Sequence, residues 1–403
     1  MTDKNYRWVI VGYTLLIQAV CLGILVYCFS LFAVSWLDEF EVPRRDVMLT
    51  ISLFQICSGI FSPFVGRAMD HYPIRNLILL GLALMVTGLL LISLTDKLWQ
   101  IQVLYATLFP VALTLMSTLA SQTLVTRWFS NTRGLAIGLS AMGTNIGGIL
   151  FPLFVVGWLV DPGWREAMLR LAIISLFLVA PATWLILKRA PPKPAHASDI
   201  SAIDGRIWTT SEILGTRIFW IPLLCLLPLN ITFGGVMFNL GAYSNDLGFD
   251  ASGTGQLLAL VSGSMIAGKL FFGSLGDRID HRFLFWITAA FMSTAMWIIQ
   301  GSPGFGMMVL GITCVGLAGG GILPLLGLIF SARFGIASFG RVMGFAMLSI
   351  SLGSMGPFLA GWAYDLTGTY DSVFTLFGLS FIPAVILMRW LPKPGSHVPE
   401  PIT

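Results

Sequence analysis

Twelve long apolar runs dominate the sequence, and each is long enough to cross a lipid bilayer as a helix. Such a helix needs about 20 predominantly apolar residues. Charged, proline or turn residues separate the runs, which lie near 8–37, 47–69, 74–95, 98–126, 133–160, 166–188, 217–244, 253–276, 283–300, 304–332, 338–364 and 372–391. In lipid, only helices and closed barrels satisfy every backbone hydrogen bond. The runs therefore predict an all-α membrane protein with twelve transmembrane helices.

Charged residues are correspondingly scarce. Lys and Arg number 23 and Asp and Glu number 19 among 403 residues, so 10% of the chain is charged and 56% is hydrophobic. Soluble domains carry about 25% charged residues. This composition excludes an ordinary soluble fold, and a net charge of +4 offers no basic surface for a nucleic acid. We expect a lipid bilayer as the environment and no nucleic acid as a partner.

The positive charges predict how the chain is oriented. Seventeen Lys and Arg residues fall on one set of loops and ends, and five fall on the opposite set, namely Arg44, Arg45, Lys97, Arg165 and Arg170. Cytoplasmic loops carry the excess of Lys and Arg. We therefore expect both termini in the cytoplasm, in a plasma membrane such as the inner membrane of a bacterium.

The longest polar interruption, 189–216, predicts a boundary between two halves. It contains prolines near its start and then a polar stretch, within which Ile207-Trp208 could form a short interfacial helix. The predicted organisation is an N-terminal six-helix bundle over 1–188, a cytoplasmic linker over 189–216 and a C-terminal six-helix bundle over 217–403.

An internal repeat supports this division. Gly66, Asp70 and Arg75 recur 207 residues later as Gly273, Asp277 and Arg282. The segment that starts at Arg127, with Gly134, Gly138 and Gly147, recurs after 206 residues as Arg333, Gly340, Gly344 and Gly353. Two independent matches at nearly one offset indicate two duplicated halves of parallel topology.

The repeated Gly-x-x-x-Asp loops with their basic residues resemble the cytoplasmic signature of the major facilitator superfamily. The segment Arg127–Gly138, leading into Gly143-x-x-x-Gly147, resembles the monocarboxylate transporter family and its bacterial oxalate/formate antiporter relatives. The resemblance implies two six-helix bundles that transport a small solute. Two features depart from that family: the acidic-Gly-aromatic opening motif is absent, and no Lys stands beside Ser30-Leu31, where proton-coupled members have one.

Lys269 is the one cation that the loop count leaves inside a predicted span. It lies seven residues before Gly276, about 10 Å inside the helix end at about 1.5 Å per residue. An intramembrane charge normally faces a cavity and has a function, so Lys269 is predicted to bind the carboxylate of an organic anion. In the resembling families a substrate-binding Arg stands here, with an Asp four residues earlier where this chain has Met265. The alternative is a Lys that snorkels to the cytoplasmic surface.

Several polar side chains at similar depth are candidates for the same binding site. They are Tyr27, Gln122, Asn145, Asn239 and Tyr243. Each could instead make a hydrogen bond between helices, worth about 0.6 kcal/mol on average. No Asp, Glu or His lies deep in a predicted span, so proton coupling, exchange and facilitated diffusion all stay open.

The charged loop residues are predicted to hold the cytoplasmic side closed in one state and to separate in the other. Their alternative role is to set topology and cap helices. The residues are Asp70, Arg75, Arg127, Arg133, Asp277, Arg278, Arg333 and Arg341.

Taken together, these features predict a secondary transporter of a small organic anion, most simply a monocarboxylate, that works by alternating access. The alternatives within transport are an anion exchanger or uniporter, and an exporter of a drug or neutral solute in which Lys269 is structural. An enzyme is not expected, because acid–base clusters, metal ligands and a nucleophile–base pair are missing, and no cofactor is expected. We expect the chain to work as a monomer.

Overall fold

The computed structural model describes residues 3–129, 133–188, 208–275 and 279–392, and within these ranges the regular structure is entirely helical. The helices are α1 (Asp3–Leu22), α2 (Phe29–Phe40), α3 (Arg44–His71), α4 (Ile74–Ile92), α5 (Leu98–Met116), α6 (Thr118–Trp128), α7 (Arg133–Val160), α8 (Trp164–Ile186), α9 (Thr210–Gly215), α10 (Arg217–Asp246), α11 (Ala251–Leu275), α12 (His281–Ile299), α13 (Phe305–Leu352), α14 (Gly356–Thr367) and α15 (Asp371–Met388). The all-α prediction is confirmed.

Eleven helical segments of the described part of the chain are long and apolar enough to cross a membrane. They match the predicted runs in order, except the run at 338–364. That run corresponds to the second part of α13, a 3₁₀ turn at Gly353–Met355 and α14. The protein is therefore an integral, multi-pass membrane protein.

The prediction of a turn between residues 332 and 338 is wrong. α13 continues through it as one helix of 48 residues. Single glycines cost a helix only about 1 kcal/mol each, and no proline removes a backbone donor near this point, so the hydrogen-bond ladder continues. The helix is interrupted only at Gly353, just before Pro357.

Two other predicted runs are single spans with an irregular turn inside. The first contains a π-helical turn, Gly23–Tyr27, in which the backbone N–H of Cys28 donates to the Gly23 carbonyl at 3.1 Å. The fourth is interrupted at Ser117, where α5 ends and α6 begins. The short helix after the linker begins at Thr210, with a capping box between Thr209 and Glu212. Trp208 precedes this helix, and Ile207 lies outside the described residues.

The chain forms two compact units that cut across the sequence. Unit 1 contains Met1–Pro194, Gly235–Gly263 and Pro357–Thr369, and unit 2 contains Ala195–Gly234, Ser264–Gly356 and Tyr370–Thr403. Parts of α10, α11 and α14 therefore pack with the N-terminal helices in unit 1. The division into halves at 189–216 stays a prediction.

Glycines allow helix backbones to touch in both units. In unit 1, a Cβ on Gly143 or Gly147 of α7 would strike the carbonyl oxygen of Leu15 or Ala19 in α1. In unit 2, a Cβ on Gly356 would strike the carbonyl oxygen of Ile231 in α10. Small residues permit such close packing in membranes, where the hydrophobic effect does not drive helices together.

Candidate functional site

Lys269 lies in the second half of α11, six residues before the last residue of the helix. That spacing corresponds to about 9 Å along the helix axis. The side chain is half-buried, and α11 contains no Asp or Glu in its sequence. A cation therefore stands within a membrane-spanning helix that supplies no acid of its own.

α11 packs closely on α13 in the turn that leads to Lys269. A Cβ on Gly268 would strike the carbonyl oxygen of Leu317. A Cβ on Gly320 would strike the carbonyl oxygen of Met265 and would lie 3.0 Å from the backbone nitrogen of Lys269. The two helix backbones therefore approach each other closely where the Lys269 side chain begins.

Lys269 shares one face of α11 with Gly255 and Ser262, because residues seven apart lie two turns apart on nearly the same stripe. In unit 1, this stripe lies against α7. A Cβ on Gly255 would lie 2.7 Å from the Val156 side chain. Lys269 continues the stripe beyond this contact.

Tyr27 and Asn145, two of the predicted binding residues, both lie beside Ser262 of α11 in unit 1. The buried Asn145 amide donates to the carbonyl oxygen of Ser262 at 3.3 Å and accepts from the Thr144 hydroxyl at 3.0 Å. A Cβ on Gly148 would lie 2.6 Å from the Tyr27 ring and would strike the Ser262 hydroxyl. Because Gly148 has no side chain, the Tyr27 ring and the Ser262 hydroxyl can both lie against the backbone of α7.

Asn239 and Tyr243 lie one turn apart on α10, and both are buried in unit 1. The Asn239 amide donates to the Gly235 carbonyl at 2.9 Å and to the Pro357 carbonyl at 3.1 Å. It therefore links α10 to α14, as expected for the alternative role of a hydrogen bond between helices.

Gln122 lies on an exposed face of α6. A different glutamine, Gln18, is buried and was absent from the predicted set. Its amide donates to the Ser140 carbonyl at 2.8 Å and hydroxyl at 2.9 Å, and its oxygen accepts from Thr118 at 3.4 Å. The signal was a lone glutamine within the first apolar run, and it marks a polar link between α1, α6 and α7.

The predicted gating residues are described only in part. The Arg75 guanidinium lies 4.0 Å from the centre of the Trp184 ring. Arg333 donates to the Pro392 carbonyl at 2.8 Å and lies 3.2 Å from Nδ1 of His281. Asp277 and Arg278 lie outside the described residues, as do the side chains of Asp70, Arg127, Arg133 and Arg341. Their gating role stays a prediction.

A second charged cluster lies at the other end of unit 1, where α3 begins and α10 and α14 end. Arg44 forms an ion pair with Asp246 and lies 3.7 Å from the centre of the Tyr364 ring. In the sequence Arg44 stands out only as an orienting charge, because nothing there places the ends of these three helices together.

The membrane-spanning helices define an integral membrane protein, and comparison with known proteins identifies its family. Residues 15–299 and 223–403 match the model of the Major Facilitator Superfamily. The chain belongs to this superfamily of transporters.

Relatives and a solved structure agree with the family. Monocarboxylate transporter 13 of Bos taurus is 25% identical over 399 residues, which are 97% of this chain and 90% of the relative. The agnestins efflux protein of Paecilomyces divaricatus is 25% identical over 341 residues, 83% of this chain and 75% of the relative. A bacterial homolog of the human lysosomal transporter Spinster, in an inward-facing and unoccupied conformation, has a TM-score of 0.71 at 15% identity and covers 96% of this chain and 95% of its own. At that identity the likeness shows the fold alone.

Proposed function

We propose that this transporter moves a small organic anion, most simply a monocarboxylate, across the plasma membrane by alternating access. The observation that carries the proposal is Lys269, a half-buried cation in a membrane-spanning helix, beside the close backbone contacts between α11 and α13. The 25% identity to a monocarboxylate transporter along nearly the whole chain supports the same substrate class.

The charge of Lys269 is costly within a membrane-spanning helix. A Lys at the centre of a membrane helix costs about 2.5–3.5 kcal/mol on insertion scales. A bound carboxylate would offset part of that cost through a charge-assisted hydrogen bond to the ammonium group. Tyr27 and Asn145, which lie beside Ser262 of α11 in unit 1, stay proposed contacts for the remainder of the substrate. The apolar side chains of the spans would accept its hydrocarbon part.

Contacts between the sequence halves in unit 1 support alternating access. The backbone N–H of Gly241 donates to the Ser30 hydroxyl at 2.6 Å, Asn145 contacts Ser262, and Arg44 pairs with Asp246. Each contact joins a helix of residues 1–188 to one of residues 217–403. The Ser30 and Arg44 contacts would close the end of unit 1 at which α3 begins and α10 ends, which is the extracellular end in the orientation that we propose from the positive charges. The Asn145 contact lies near the middle of α7 and α11.

Uptake into proteoliposomes tests the proposal. The protein is reconstituted and offered labelled monocarboxylates, dicarboxylates and neutral solutes, with and without a pH gradient. We expect monocarboxylate uptake, and we expect Lys269→Ala to lower it at least about tenfold, the loss expected for a charged hydrogen bond of about 1.5–3 kcal/mol. Lys188→Ala removes an exposed Lys at the end of α8 and serves as the matched control. Unchanged carboxylate uptake in Lys269→Ala would contradict the binding role.

The same measurement separates the modes of coupling. Uptake that rises with an inward proton gradient indicates a symporter. Uptake that does not depend on the proton gradient but rises with substrate inside the vesicle indicates an exchanger. Uptake that depends on neither indicates a uniporter. Reconstitution at high dilution tests whether one copy is sufficient, as we propose.

Export of a neutral or drug-like solute is the second candidate function, and the relation to a fungal efflux protein favours it. In that case Lys269 is structural. Neutral solutes would then be transported, carboxylates would not compete with them, and Lys269→Ala would lower protein stability without changing substrate preference.

A further inference from the structure

The first residue of α3, Arg44, is bound both through its side chain and through its backbone. Its guanidinium forms two hydrogen bonds to the Asp246 carboxylate at the end of α10, one of them 2.6 Å long. The same guanidinium lies 3.7 Å from the centre of the Tyr364 ring in α14, and the Tyr364 side chain also hydrogen-bonds to Asp246. Only 14% of the Arg44 side chain and 27% of the Asp246 side chain are exposed, so water screens this pair incompletely.

The backbone of the same turn is capped by a residue from another helix. The residue before α3 is Pro43, and it provides no side-chain cap. The two carboxylate oxygens of Asp365 accept hydrogen bonds from the backbone N–H groups of Arg44 and Arg45, each at 3.0 Å. The first N–H groups of a helix lack partners within the helix and carry a partial positive charge, so a carboxylate here is favourable. The end of α14 thus supplies the cap that α3 lacks.

A glycine makes this approach possible. A Cβ on Gly361 of α14 would lie 3.1 Å from the backbone carbon of Arg44 and from the backbone nitrogen of Arg45. A larger residue would push α14 away from the start of α3 and lengthen the bonds to Asp365. All of these residues belong to unit 1.

We propose that Arg44, Asp246, Tyr364 and Asp365 form a latch that holds this end of the transporter closed. α3 belongs to the first half of the sequence, whereas α10 and α14 belong to the second, so the end can open only if α3 leaves both partners. The ion pair, the ring contact and the helix cap all meet at Arg44 and must break together. The latch therefore favours the closed state of this end, and its strength sets how often the end opens.

The latch rests on the alternating access proposed above but not on the identity of the substrate. Its test uses chemical accessibility without substrate, so the latch and the substrate assignment can fail independently. Ser244 is fully buried on α10, two residues before Asp246, and reports on opening when it is replaced by cysteine. A membrane-impermeant maleimide is added to intact cells and, separately, to inverted vesicles, and labelling of the unmodified chain is subtracted to correct for the five native cysteines.

In the Ser244→Cys background, we expect slow labelling from one side only. Arg44→Gln should raise the labelling rate about tenfold and Asp365→Asn about threefold, because the first breaks the pair and the second only weakens the cap. Asp38→Asn removes an exposed acid from the last turn of α2, six residues before Arg44 in the sequence. This control should leave the rate within about twofold. The exchange Arg44→Asp with Asp246→Arg should label more slowly than either single change, because it restores an ion pair.

The rate must be compared among variants that are correctly folded. Each variant is accepted only if it is monodisperse in detergent and melts as a single transition. Labelling rates of Arg44→Gln and Asp365→Asn equal to that of the Asp38→Asn control would overturn the latch. An exchange variant that labels as fast as the single changes would also contradict the ion pair as its core.

Discussion

Gly147 determines how closely α7 can approach α1. A side chain at this position would strike the carbonyl oxygen of Ala19, and its Cβ would lie 2.8 Å from the Ala19 Cα. The backbone of α1 cannot yield as a flexible side chain would. The glycine is therefore required by packing, in agreement with the small-residue spacing Gly143-x-x-x-Gly147 in the sequence.

We expect Gly147→Ala to lower stability by about 1–3 kcal/mol, the typical cost of overpacking a closely packed site. The measurement is the melting temperature of the purified protein in detergent. Gly138→Ala on the same helix is the matched control, because a Cβ there meets nothing within 4 Å. The control should melt at or slightly above the wild-type temperature, since Ala favours a helix over Gly by about 1 kcal/mol. Equal melting temperatures for the two variants would contradict the close approach of α7 and α1.

At the residue scale, the sequence could identify polar residues in the membrane but not their partners. Lys269, Tyr27 and Asn145 stand out because polar groups in lipid are costly. Arg44 does not stand out, because a cation at a helix end is ordinary. Its role depends on Asp246 and Asp365, about 200 and 320 residues away in the chain, and only the fold brings them together.

Among the helices, α12 has a well-defined start. The Asp280 carboxylate accepts from the backbone N–H of Arg282 at 2.9 Å and from its guanidinium at 2.6 Å. The hydrogen bond from the Arg282 side chain, with smaller contributions from the backbone bond and the nearby positive charges, lowers the pKa of Asp280 below its usual value. The charged carboxylate is thus favoured in the folded protein.

The lowered pKa predicts a pH dependence. The stabilisation from the charged Asp280 is complete above the pKa of the unfolded chain and is lost as the pH falls through the lower pKa of the folded protein. The melting temperatures of wild type and Asp280→Asn should therefore differ by a constant amount between pH 7 and about pH 5 and converge below about pH 4. Asp280→Ala, which also loses the cap, should be less stable than Asp280→Asn. A wild-type advantage that grew as the pH fell would contradict this account.

At the element scale, hydropathy predicts where a helix exists better than where it ends. The apolar runs locate the spans because the bilayer requires a continuous length of apolar residues. The break expected near 332–338 does not occur, since glycine and arginine alone do not remove a backbone hydrogen bond. The π turn at Gly23–Tyr27 and the 3₁₀ turn at Gly353–Met355 lie inside apolar sequence, where hydropathy gives no signal.

For the whole molecule, the internal repeat and the compact units describe different properties of the same chain. The repeat, at offsets of 206 and 207 residues, relates two halves of the sequence. The compact units instead group parts of α10, α11 and α14 with the N-terminal helices. In a protein that opens alternately at its two ends, contacts in one state need not follow the repeat, because a closed end joins both halves. The latch at Arg44 is such a contact.

The central claim is that Lys269 binds the carboxylate of the transported anion, and ligand discrimination tests it most directly. The monocarboxylate taken up fastest and its uncharged amide are compared by the concentration that gives half-maximal thermal stabilisation of the purified protein, a readout that inactive variants also provide. We predict that wild type prefers the acid by about tenfold or more, that Lys269→Arg retains a preference, and that Lys269→Ala binds acid and amide about equally. An acid preference in Lys269→Ala equal to that of wild type would contradict the claim.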